Sequence, residues 1–174
     1  MDPIEEEAAI AEERASQRPM MTPDVLDEPI SELCDKPAVS VPVGATIGDA
    51  VRTMQEKDIG SVLVVDGDAL VGIVTERDAL KKVVGKDVAV LETAVTEFMT
   101  PDPETLQPGD SLIYLMNKMH VGGFRHVPIV DPSGKPLHVL SLRAVLRYLI
   151  EQFGSRVVNI PPDPFRGERR EGSG

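Results

Sequence analysis

Ile59-Gly-Ser-Val-Leu-Val-Val-Asp66 returns sixty-five residues later as Phe124-Arg-His-Val-Pro-Ile-Val-Asp131. The same offset holds upstream, where Met54 matches Met119, Ala50 matches Leu115, Thr46 matches Ser111 and Val41 matches Leu106. One residue is inserted in the following turn, and Gly72-Ile-Val-Thr75-Glu-Arg-Asp78 then aligns with His138-Val-Leu-Ser141-Leu-Arg-Ala144. A repeat this regular implies two copies of one supersecondary unit. Neither copy is expected to bury its apolar face alone, so the two pack together about a pseudo-twofold axis. The clefts between them are the places to look for function.

Each copy reads as strand, helix, strand, strand, helix, an α/β unit. Val39–Val43 alternates as a short strand, and Pro42 assigns it to a sheet edge or strand end. Thr46 and Asp49 offer helix caps, with Ile47, Ala50, Val51 and Met54 at helical spacing. Val62–Val65 is the continuous apolar run of a strand buried on both faces. Asp66-Gly67 supplies a tight turn, Leu70–Val74 returns, and Asp78, Ala79, Leu80, Val83 and Val84 predict a second helix. The second copy predicts a strand near Glu104–Leu106, a helix over Ser111–His120, strands at Val127–Val130 and Leu137–Leu140, and a closing helix Leu142–Phe153. Met99, Met116 and Met119 read as core filler. Gly122-Gly123 reads as a turn. The expected organisation is an acidic flexible segment over 1–29, a first unit over 30–97, a second over 98–153, and a Pro- and Arg-containing tail over 154–174. Within the tail, Val157–Ile160 could dock as an extended strand.

Hydrophobic residues make up 41% of the 174-residue chain but aromatics only 3%, so the core is aliphatic. No apolar run approaches the roughly 20 residues of a membrane helix, and Met1-Asp-Pro-Ile-Glu-Glu-Glu7 is the opposite of a basic, apolar signal peptide. The single cysteine, Cys34, excludes an intramolecular disulfide and fits a reducing compartment, so a cytoplasmic location is expected. Net charge is −11, and residues 1–32 hold ten acids against Arg14 and Arg18. That balance argues against a nucleic-acid backbone as partner, which requires clustered Lys and Arg.

The ordered set of strands, with Val-Val-Asp ending one of them and Gly-Ile-Val-Thr75-Glu-Arg-Asp78 opening a helix, resembles the CBS domain, named for cystathionine β-synthase. Two copies over about residues 30–153 resemble a tandem CBS pair, or Bateman module, of the stand-alone type. The resemblance implies regulation rather than catalysis. Such pairs bind adenosine-containing ligands in clefts between the repeats, so an adenine nucleotide (AMP, ADP or ATP) is expected ahead of S-adenosylmethionine. The expected role is energy sensing, with output through a homodimer or through a regulated protein in trans.

The resemblance also assigns residues. Thr75 and Asp78 fall where the family grips its ligand. A carboxylate accepts from both vicinal hydroxyls of a ribose, in charge-assisted bonds about twice as strong as neutral ones. Thr75-x-x-Asp78 is equally the spacing of a helix capping box, and both readings stand at this point. Thr46 and Ile47 are expected at the adenine end, with Ile59, Gly60, Ser61 and Val62 around the purine. Arg125 and His126 of the second copy are expected toward a phosphate, which Arg can hold with two parallel bonds, and Arg77 is a further candidate. His126 reads equally as a structural histidine. In the second copy Ser141 keeps its hydroxyl but Ala144 replaces the aspartate, so one good cleft and one degenerate cleft are expected. Arg143 beside Ala144 would make an anion pocket there or, more blandly, a surface arginine.

Two other classes of function were weighed. A ligand-free dimerising scaffold accounts for Ala144 but not for Asp78. An enzyme acting on a nucleotide, with His126 or Asp110 as base, lacks a nucleophile-and-base pair. The chain has no nucleophile elbow, Walker loop or dinucleotide fingerprint. His120, His126 and His138 lack partners at metal-ligand spacing. No catalytic residue, metal or catalytic cofactor is expected.

Overall fold

The computed structural model describes residues 23–152. The acidic residues 1–22, Phe153 and the tail with Val157–Ile160 lie outside the described residues. In chain order the elements are α1 (Pro23–Asp27), a 3-10 turn Ile30–Leu33, β1 (Ser40–Pro42), α2 (Ile47–Lys57), β2 (Ser61–Asp66), β3 (Ala69–Thr75), α3 (Glu76–Lys82), 3-10 turns Val88–Glu92 and Val95–Glu97, β4 (Thr100–Pro101), α4 (Leu112–Gly122), β5 (His126–Val130), β6 (Pro136–Ser141) and α5 (Leu142–Gln152).

The predicted strand-helix-strand-strand-helix order is present in the first repeat. β1 runs parallel to β2, β2 antiparallel to β3, and β1 forms the sheet edge, as Pro42 requires. Val62, Leu63 and Val64 are fully buried, each contributing about 1.5–3 kcal/mol by burial. In the second repeat β5 pairs antiparallel with β6. The expected strand near Glu104–Leu106 contracts to a parallel bridge from Leu106 to Ile129. The repeat extends to its irregularities: the β2–β3 ladder shifts register between Val64 and Val65, and the β5–β6 ladder between Ile129 and Val130.

At the repeat offset Val95 matches Ile30, and counted from these two residues each copy lends its first turn to the other's core. Ile30 and Leu33, at the start of the first repeat, belong to the core of the second, with Leu112, Leu115, Val127, Ile129 and Leu140. Val95 and Phe98 belong to the core of the first, with Ile47, Ala50, Val62 and Val74. Backbone bonds match the exchange. Ile30 N–H donates to the Asp110 carbonyl at 2.8 Å and Leu112 N–H to that of Glu28 at 2.9 Å. Sixty-five residues along, Val95 N–H donates to Ala45 at 2.9 Å and Ile47 N–H to Thr93 at 2.9 Å. Each repeat thus completes the other's core. The segment 23–29 is not wholly loose as expected, because Val25 packs against the second core.

The connector crosses over too. Thr100 and Pro101 form β4, which pairs antiparallel with β3 through Ile73 and Gly72. A Cβ on Gly72 would overlap the Met99 side chain, so any larger residue there obliges the methionine to shift. In the mirror-image contact, Ala38 N–H donates to the Leu137 carbonyl of β6 at 2.8 Å. Gly123 ends α4 in the left-handed conformation at φ 67°, the usual glycine C-cap.

Candidate functional site

A cavity of about 420 Å³ opens where the two repeats and the connector meet. The first repeat supplies Gly60 at the start of β2, Ile73 and Thr75 at the end of β3, and Glu76, Arg77 and Asp78 on the first turn of α3. The connector supplies Thr100, Asp102, Pro103 and Glu104, and the second repeat supplies Gly123, Phe124, Arg125 and His126.

Thr75 and Asp78 sit at the cavity because β3 ends there and α3 begins. Both capping-box bonds are made: Thr75 N–H donates to Asp78 Oδ2 at 3.0 Å, and Asp78 N–H donates to Thr75 Oγ at 3.3 Å. The Thr75 hydroxyl also donates to Oδ2, at 2.7 Å. The second carboxylate oxygen, Oδ1, has one neighbour of opposite charge, Lys82 Nζ at 3.5 Å. Lys82 is itself anchored, donating to the Phe98 carbonyl at 2.6 Å. Capping therefore occupies one oxygen of Asp78, and Oδ1 is the atom with acceptor capacity toward a ligand.

Of the eleven residues expected at the site, the structure brings six together around the cavity: Gly60, Thr75, Arg77, Asp78, Arg125 and His126. The other five do not line it. Ile47 and Val62 are fully buried and Ser61 nearly so, while Ile59 packs against the first core. Ser61 and Val62 take places in the β2–β3 ladder opposite Thr75 and Val74. Thr46 is committed elsewhere, its hydroxyl bonded to Asp49 in a second capping box. Thr100, Asp102 and Pro103 of the connector, for which no role was expected, line the cavity. Connector residues were missed because they carry no ligand motif. The two prolines were the available signal, since they hold the segment extended.

Glu76 and His126 both flank Gly60: a Cβ there would lie 3.2 Å from both Glu76 Oε2 and His126 Nε2. The half-buried His126 has its pKa lowered, chiefly by desolvation; neighbouring Glu76 raises it and Arg125 lowers it. At the far side Lys118 donates to Glu104, and that bond raises the lysine's pKa.

The corresponding place in the second repeat is built differently. Ser141 Oγ accepts from Ala144 N–H at 3.1 Å, with no carboxylate to complete the box. A smaller hollow of about 130 Å³ lies against α5, lined among others by Asp35, Ala144 and Arg147 but not by Ser141, and Arg147 donates to Asp35 at 2.9 Å. The basic residue in this hollow is Arg147, and Arg143 is not part of its lining.

No helix among the described residues is long and apolar enough to cross a membrane. The chain is 31% identical over 130 residues to an uncharacterised 17.7 kDa protein of Acidianus ambivalens, covering 72% of this chain and 77% of that protein. Longer relatives match as well: the chain spans 20% of the length of a CBS domain-containing protein of Arabidopsis thaliana. Among solved structures, a CBS-domain containing protein from Agrobacterium tumefaciens superposes with a TM-score of 0.64 at 32% identity, covering 71% of this chain and 100% of that one. A CBS domain protein from Pyrobaculum aerophilum, solved in complex with AMP, superposes with a TM-score of 0.65 at 26% identity, covering 74% of this chain and 99% of that one. The CBS-domain family model matches residues 30–85 and 95–151. Two matched copies, packed as the internal repeat implies, make this chain a member of the CBS-domain family.

Proposed function

We propose that this protein is a regulatory module that binds an adenine nucleotide (AMP, ADP or ATP) in the cavity between its repeats. The observation that carries the reading is Asp78. Its Oδ2 is held by the Thr75 cap, which fixes the carboxylate, while Oδ1 remains able to accept from ribose hydroxyls. Arg77, Arg125 and His126 stand on the same cavity for a phosphate. The AMP complex of the Pyrobaculum relative supports the ligand class. A ligand bridging first repeat, connector and second repeat would shift any equilibrium in which these segments move, by its differential affinity for the two states.

Output runs through the protein's own oligomer or a regulated partner. Leu80 on α3, Val84 just beyond it, and Leu146 and Ile150 on α5 are all exposed. These apolar side chains support a homodimer, and they equally favour the second reading, a dimerising scaffold without a ligand. The single cysteine supports a reducing, cytoplasmic location.

Calorimetric titration with AMP, ADP, ATP and S-adenosylmethionine tests the proposal. The expected result is one equivalent of adenine nucleotide per chain, lost in Asp78→Ala. No binding by any of the four would leave the scaffold in its place.

A further inference from the structure

The charges around the cavity run against the simplest expectation for a nucleotide site. Glu76, Asp78, Asp102 and Glu104 bring four carboxylates to the lining, against two guanidinium groups from Arg77 and Arg125 and, beside the lining, Lys82 at 3.5 Å from Asp78. Their placement matters more than their number. The residues suited to a phosphate, Arg125 and His126, are not alone at their end, because the Glu76 carboxylate flanks Gly60 together with the His126 ring. Burial lowers the His126 pKa, so the imidazole enters neutral solution without a charge to offset Glu76. At the connector, Lys118 is bonded to Glu104, so among the described residues Glu76 and Asp102 are the lining carboxylates without a bonded cation. A first phosphate finds Arg125. A second and third would be laid against a lining in which Glu76 and Asp102 keep their negative charge.

We infer that these carboxylates make the cavity selective for an adenine ligand with a single phosphate over one with three. The inference rests on the adenine-nucleotide reading above and adds to it which nucleotide is read. A chain phosphate carries charge into a partly enclosed space, where like charges are screened less than in bulk water. Like-charge juxtaposition of this kind rejects a ligand more effectively than attraction recruits one. A cavity of about 420 Å³ also falls toward the small end of ligand pockets.

The test is calorimetric titration of the full chain with AMP, ADP and ATP in EDTA, which strips divalent cations that would mask the phosphate charge. Affinity is expected to fall by about tenfold for each added phosphate. The spread should narrow as ionic strength rises. Glu76→Gln should tighten ATP more than AMP. ATP binding as tightly as AMP in EDTA, or a ratio insensitive to salt, would overturn the selectivity and leave the nucleotide reading in place. Binding of none of the three would overturn both.

Discussion

The backbone N–H of Ile30 donates to the carbonyl of Asp110 at 2.8 Å, tying the start of the first repeat into the second across eighty residues of chain. The Ile30 side chain is fully buried in the second core. Ile30→Ala is therefore expected to destabilise by roughly 2–5 kcal/mol, the usual range for emptying such a site. Because Val95 makes the reciprocal insertion, the repeats are expected to unfold together. Urea denaturation followed by two probes should give one coincident transition for the wild type. Separate transitions for the two halves would contradict the exchange of core residues.

Thr46-Asp49 and Thr75-Asp78 form the same capping box, yet Thr75 and Asp78 alone of these four line the cavity. Both Asp49→Ala and Asp78→Ala should lower thermal stability, since each removes a cap. Asp49→Ala should leave nucleotide affinity unchanged, whereas Asp78→Ala should abolish it. Equal loss of affinity in the two variants would mean that Asp78 acts through folding and not as a ligand-binding group.

Gly72 and Met99 are in mutual contact where β4 joins β3. A methyl group at 72 would overlap the methionine side chain, and overpacking of this kind costs about 1–3 kcal/mol. Met99 is flexible, so Gly72→Ala combined with Met99→Ala should recover part of the loss. A double-mutant cycle by chemical denaturation measures the coupling. Additive effects would argue against the close approach.

His126 makes a pH-dependent contribution of definite sign. Desolvation lowers its pKa in the folded protein below the ordinary value, so the unfolded chain takes up a proton first as pH falls. Stability is thus expected to drop on acidification from about pH 6.5, the ordinary histidine value, toward the folded pKa, and to be complete above that window. His126→Gln should flatten this part of the profile. Thermal denaturation between neutral pH and pH 5 on both proteins reads the difference.

Leu146 is half exposed on α5, in line with Leu142 and Ile150. If these side chains meet a second copy, Leu146→Glu should convert a dimer to a monomer without altering the circular dichroism spectrum. Sedimentation velocity decides between the two masses.

The repeat, its element order and the buried strand Val62–Val65 were legible because side-chain periodicity is a local property, present in any window of ten residues. The same locality sets the limit. Leu80, Val84, Leu146 and Ile150 have apolar character and roughly helical spacing, which mark helices but not which face is covered. Which side of a helix is covered depends on neighbours, and here the chain leaves that side bare. The resemblance gives Thr46 to the adenine end by its position and Thr75 to the ligand through the Thr-x-x-Asp motif. Nothing within four residues of either distinguishes a cap that faces a cavity from one that does not.

That distinction comes from contacts between residues far apart in the chain. Gly60, Glu76 and His126 converge because β2, α3 and the start of β5 end at one place, and Thr100 and Asp102 complete the wall because the connector adds an edge strand to the first sheet. From its residues alone the chain declares two α/β units and one intact Thr-x-x-Asp motif with an altered copy. The exchange of Ile30 and Val95, the connector wall and the gathering of carboxylates on the cavity lining belong to the tertiary fold. They depend on long-range packing, for which no short stretch of sequence carries a signature.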